Sequence, residues 1–144
     1  MPWRRVGPYL AAQIIGALAG VAAAHGMFEL PFYGASRHIR SGPAQWWSEM
    51  VATFGLLIVI LQCARYRPTT APAAVGLYIS AAYWFTASTS FANPAVTMAR
   101  SLSDTFAGIR PADAPGFIAA QLLGAGTAVA FFKWLTREDG KLPD

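Results

Sequence analysis

Ser88-Thr89-Ser90-Phe91-Ala92-Asn93-Pro94-Ala95-Val96-Thr97-Met98-Ala99-Arg100-Ser101-Leu102 is the stretch that decides how this chain folds. Asn is a preferred helix N-cap and proline is preferred at the first helical position, so Asn93-Pro94 reads as a helix start. Ten residues run from Pro94 to Ser103. At 1.5 Å each they span about 15 Å, half of a bilayer core of about 30 Å. The five residues before Asn93 are small or apolar, too apolar for a plain external loop, and at about 3.3 Å each they cover a similar depth when extended. The expectation is a re-entrant segment: chain descends to the membrane midplane, turns at Asn93 and returns as a half-helix over residues 93–103. Non-helical backbone at that depth is tolerated only if protein buries it or it lines a cavity.

The flanks require a membrane. Of the 144 residues 55% are hydrophobic and 12% charged, about half the charged share of a soluble domain. No charge occurs in Val6–Phe28, Met50–Ala64, Pro68–Ala99 or Ala114–Phe132. These stretches approach or exceed the roughly 20 residues needed to cross a bilayer as a helix. Buried helices of a soluble protein would need polar faces that these lack. Four spans are expected, over residues 6–28, 46–64, 71–87 and 115–135, with small residues allowing close helix approach. The start is a poor signal peptide, since its apolar run is too long and has no clear cleavage site. The single Cys63 excludes an intrachain disulfide.

An even number of spans puts both ends on one side. Arg4, Arg5, Arg65, Arg67, Lys133, Arg137 and Lys141 fall on that side, against Arg37, Arg40, Arg100 and Arg110 on the other. Seven against four makes both termini cytoplasmic by the positive-inside rule. Trp3, Trp46, Trp47 and Trp134 lie at span ends, as amphipathic rings do in the headgroup layer. The net charge of +4 is scattered over loops and ends and forms no nucleic-acid footprint.

Tyr9–Ala22 aligns with Phe117–Ala130 at an offset of 108, matching seven of fourteen positions, among them Gln13 with Gln121 and Gly16-Ala17 with Gly124-Ala125. A glutamine in mid-membrane followed by Gly-Ala makes the match more than shared alanine content. If the last span closes one repeat, the first span closes an earlier one, and three spans per repeat give inverted halves. The second repeat is then complete over 46–135, and residues 6–28 are the last helix of the first, all within one membrane domain over 1–144.

Asn93-Pro94-Ala95 at a re-entrant half-helix, Gln13 and Gln121 in paired helices, and Glu49 opening the second span resemble the aquaporin, or major intrinsic protein, family. The resemblance covers essentially the whole chain and corresponds to the last helix of the family's first half and all of its second. It implies an all-α membrane protein with an aquaporin-like right-handed helix bundle, here four transmembrane helices plus one half-helix. It also implies a channel rather than an enzyme, small neutral solutes as cargo, the lipid bilayer as surroundings, a homotetramer as assembly and no cofactor. Asn93, Pro94 and Ala95 would line the pore, the Asn93 oxygen capping its helix and the nitrogen donating to a solute. Selectivity then follows from pore width, lining donors and electrostatic barriers, a general account of aquaporin pores applied here.

The family's filter usually has arginine directly after the triplet, where this chain has Val96. Two further filter positions fall, by spacing, on Ser90 and Ala81. A constriction of Val96, Ser90 and Ala81 is wide and weakly polar, suited to polyols or metalloid hydroxides such as arsenous acid. Phe91 to Ile109 resembles bacterial aquaporin-like proteins associated with arsenic resistance, which implies a bacterial inner membrane. Arg100, one turn beyond Val96, is placed either at the outer mouth or against headgroups or Asp104. Glu49, Gln13 and Gln121 read as structural support for the re-entrant turn. His25 and His38 lack the clustering of a metal site, and Ser88, Ser90 and Thr97 have no nearby base to activate them. The alternative is a non-conducting truncated fragment that needs a missing first half to form a pore.

Overall fold

The computed structural model describes residues 2–137. The helices are α1 (Val6–Met27), α2 (Pro43–Tyr66), α3 (Ala71–Phe85), α4 (Pro94–Arg100) and α5 (Ala114–Leu135), with 3-10 turns at Trp3–Arg5, Pro68–Thr70 and Pro111–Asp113. Among the described residues there is no strand. Lys141, counted above among the cytoplasmic charges, lies outside them.

Alanine and leucine favour helix, and proline occupies the first turn of α3 and α4, where its missing N–H costs nothing. Three helical stretches, Trp3–Met27, Pro43–Tyr66 and Pro111–Leu135, are long and apolar enough to cross a membrane. Large apolar side chains project outward from them and from α3, including Ile15, Leu77, Trp84, Leu122 and Leu123. Such display suits lipid or a neighbouring helix and disfavours water. Tryptophans 3, 46, 47 and 134 lie at helix ends, as expected.

Two elements are shorter than the sequence suggested. The third span, expected over 71–87, ends at Phe85; its 15 residues reach about 22 Å, less than a bilayer core. Thr86 stops it. Its backbone is extended, and its N–H and hydroxyl both donate to the Ala82 carbonyl, at 3.1 and 2.6 Å. The half-helix expected to run to residue 103 ends at Arg100. Ser101 N–H is shared among the Thr97, Met98 and Ala99 carbonyls, and Leu102 N–H and Ser103 N–H reach back only three residues, to Ala99 and Arg100. The last turn thereby tightens and closes.

The described chain divides into two compact units, residues 2–42 with 93–118 and residues 43–92 with 119–137. In the first, α1 packs on α4. Segment 28–42 is tied to the chain after α4: Gly34 N–H and Ser36 N–H donate to Leu102 and Ser101 carbonyls, each at 2.9 Å, and Arg110 N–H donates to His38 at 2.7 Å. Arg40, 5% exposed, supports this layer. Its guanidinium donates 2.8 Å to each of the Gly108 and Phe106 carbonyls, and its N–H to the Asp113 carboxylate at 3.0 Å. Gly108 is required there, because a Cβ would stand 2.0 Å from the Ser103 carbonyl.

In the second unit α2 and α3 pack around Ala52, Leu56 and Ala92, with Val75, Tyr78 and Ile79 against them. The Tyr78 hydroxyl lies over Gly55 and donates 2.9 Å to the Ala52 carbonyl. On α5, Gly124 lets the backbone of Met50 approach so closely that a Cβ would sit 2.4 Å from its carbonyl oxygen. Phe54 and Phe131 meet at 5.7 Å between ring centroids.

Candidate functional site

Residues 86–92 form the irregular backbone of the second unit, and one face of α2 holds them. Gln45, Ser48 and Glu49 are spaced i, i+3, i+4, so they share a face. The Gln45 amide donates 3.1 Å to the Ala87 carbonyl, and the Ser48 hydroxyl accepts from Ser88 N–H at 3.2 Å. Glu49 is fully buried. Its carboxylate accepts from Phe91 N–H at 3.3 Å and from Ala92 N–H, and the Gln121 amide of α5 donates to it at 3.0 Å. Backbone groups with no ladder partner are thus satisfied by one acidic side chain, the arrangement a buried, non-helical segment requires.

The same segment is strained. Thr89, Ser90 and Ala92 have φ of 59°, 48° and 48°, left-handed values that cost a non-glycine residue about 1–2 kcal/mol each. Such strain persists where surroundings over-determine it, and the Glu49 acceptor does that for Ala92.

Beyond Ala92 the chain enters α4. Asn93 is extended, and its Oδ1 accepts from Ala95 N–H at 2.8 Å, the cap that the Asn-Pro pair predicted. Thr97 N–H and hydroxyl both return 3.0 Å to the Asn93 carbonyl. Asn93 is partly exposed, Pro94 exposed and Ala95 buried.

The proposed filter residues differ in setting. Ala81 is exposed on α3, Ser90 is 4% exposed in the strained segment and Val96 is partly exposed on α4. The Ser90 hydroxyl is buried with no hydrogen-bond partner among the described residues. Val96 lines a cavity of about 650 Å³ in the first unit, between α1, α4 and the chain after it. Arg100 lines the same cavity. Asp104, one partner considered for Arg100, is engaged by Arg37, whose N–H reaches it at 2.8 Å.

Of the support residues, Glu49 and Gln121 are bonded to each other, whereas Gln13 is partly exposed on α1, in the other unit. Sequence reasoning missed Gln45 and Ser48, whose signal was their spacing from Glu49. His25, which the sequence leaves as a structural or interfacial residue, is buried against the cavity. Its Nδ1 donates 2.6 Å to the Pro31 carbonyl, and in a neutral ring Nε2 then accepts from the Ser103 hydroxyl at 2.8 Å. Arg110 donates 2.7 Å to Asp113, and that carboxylate raises the guanidinium pKa above its ordinary value. Among the described residues no group of three His, Cys, Asp or Glu side chains could hold a metal ion.

Long apolar helices and an irregular segment held by a buried acid define an integral membrane protein of the helical class. The chain is 58% identical over 132 residues to the aquaglyceroporin AqpS of Rhizobium meliloti (strain 1021), an alignment spanning 92% of this chain and 57% of that relative. The chain is a partial member of the aquaporin family. It spans little more than half the length of the curated relative it matches. No family model matches the chain, and no solved structure does.

Proposed function

We propose that this chain supplies the second half, and the last helix of the first half, of a passive channel for small uncharged solutes: water, glycerol-like polyols and metalloid hydroxides such as arsenous acid. The observation that carries this reading is the buried Glu49, which satisfies the N–H groups of an irregular segment ending one residue before Asn93. Non-helical backbone inside a membrane needs protein or a water-filled cavity around it. On this reading residues 86–92 descend to the midplane, Asn93 caps α4 with its oxygen and offers its nitrogen to solute, and Pro94 and Ala95 line the pore beside it. Val96, Ser90 and Ala81 shape the constriction. The unpartnered Ser90 hydroxyl favours such a role, because leaving it unmet costs about 1–3 kcal/mol and a solute or water hydroxyl would meet it. The relative's name, aquaglyceroporin, supports the same cargo class and a transport role without catalysis. The reading includes a bacterial inner membrane, both termini in the cytoplasm and tetrameric assembly, with no cofactor or nucleic acid.

Stopped-flow light scattering on proteoliposomes of the 144-residue chain, with water and glycerol gradients and parallel arsenite uptake, tests it. Uptake above that of empty liposomes is expected, and Val96→Arg should slow glycerol more than water. A second reading is favoured by the 57% share of the relative that is covered: the segment conducts only when the remainder of a relative-length chain is present. It predicts no uptake by well-folded chain alone and recovery on co-reconstitution with the uncovered part of AqpS.

A further inference from the structure

We propose that a cleft beyond the end of α1 binds phosphate, carried by a phospholipid headgroup or by a free phosphate ion. The cleft, of about 660 Å³, lies within the first unit and holds Arg37, Asp104 and Arg110 between walls that include Tyr33 and Ile39. Backbone bonds fix the charges in place. Arg37 N–H donates 2.8 Å to Asp104 Oδ1, and Arg110 N–H donates 2.7 Å to the carbonyl of His38, the residue after Arg37. A guanidinium has five donors and no acceptor, and here few of them are used. The Arg37 side chain is 92% exposed and its Nε stands 3.9 Å from Asp104 Oδ2, too far for a hydrogen bond. Arg110 gives Nη2 to Asp113 at 2.7 Å, while its Nε has no acceptor among the described residues. Across the bonded layer of residues 34–40 and 104–113, Arg37, Arg40 and Arg110 face Asp104 and Asp113, which leaves one net positive charge. Spare guanidinium donors with excess positive charge match the oxygens of a phosphate. The surroundings favour a lipid as its source. The helical stretch Trp3–Met27 is long and apolar enough to cross a membrane, so the chain just after it stands at headgroup depth, and Phe32, Tyr33 and Ile39 are exposed there beside the arginines, as interfacial anchors are.

The test is a phosphorus NMR titration of the full chain in maltoside, a detergent without phosphorus, against two probes: dihexanoyl phosphatidylglycerol and inorganic phosphate. Broadening of each probe's line, less that caused by empty micelles, gives its affinity. The lipid should bind. Arg37→Gln and Arg110→Gln should each weaken it about fivefold, the worth of one arginine at a membrane surface. Asp104→Asn should tighten it by a similar factor, because it removes the competing charge and keeps an acceptor for Arg37 N–H. Arg5→Gln, at the other end of α1, should leave it unchanged. Inorganic phosphate that binds with the same pattern of variants assigns the site to free phosphate as well; broadening confined to the lipid assigns it to the headgroup. Should Arg110→Gln fail to fold because Asp113 is left buried without its partner, the opposed shifts in Arg37→Gln and Asp104→Asn carry the test. Binding of neither probe, an Asp104→Asn chain that binds no tighter, or equal weakening by Arg5→Gln and Arg37→Gln overturns the site. The channel reading depends on none of these results.

Discussion

At the residue scale Glu49 does the work of several backbone partners. Glu49→Gln keeps the size but puts a donor where N–H groups of Phe91, Ala92 and Gln121 converge. Loss of about 2–3 kcal/mol is expected, read as a lower midpoint of thermal unfolding in detergent, with solute uptake falling alongside. Thr89 should respond in the opposite direction. It holds φ at 59° with a buried hydroxyl that has no partner among the described residues. Thr89→Gly removes both costs and should stabilise the chain by about 1 kcal/mol net of glycine's own entropy; a lower unfolding midpoint would contradict the strain assigned here. The Asn93 cap was legible in advance because Asn-Pro encodes it locally. The three left-handed residues were not, since no glycine marks them, and the Glu49 contacts that hold Ala92 join residues more than forty positions apart.

At the scale of elements, the internal repeat shows both the reach and the limit of sequence similarity. Gly16 and Gly124 are matched positions, yet a Cβ at Gly16 meets nothing within 4 Å whereas one at Gly124 meets the Met50 carbonyl at 2.4 Å. Gly124→Ala should therefore force α5 from α2 and cost about 1–3 kcal/mol. Gly126, two residues on, also has nothing within 4 Å, so Gly126→Ala should stabilise by up to about 1 kcal/mol through helix propensity. Paired unfolding curves of the two variants check the contrast; equal shifts would show that α2 does not pack on Gly124. The helix positions of α1, α2 and α5 followed from uninterrupted apolar runs. The early ends of α3 and α4 did not, because they are made by hydroxyl and backbone hydrogen bonds at Thr86 and Ser101 and hydropathy cannot register those.

At the scale of the molecule, the distribution of basic residues leads to an orientation that can be checked directly. In Cys63-free chains, Arg37→Cys should react with an impermeant thiol reagent added outside intact spheroplasts, while Arg5→Cys and Arg137→Cys should react only after lysis. External labelling of Arg5→Cys would reverse the assignment. Membrane character and helix order were set by the sequence itself, because exclusion of charge from long runs is a property of composition along the chain and needs no partner. The family was readable too, from a short motif and its surroundings. Only the tertiary structure decided that Gln45, Ser48 and Glu49 form one supporting row, that Gln121 joins it, and that Val96 and Arg100 share a cavity. Each of these depends on which surfaces meet after folding, and contacts between distant residues leave no local periodicity to read.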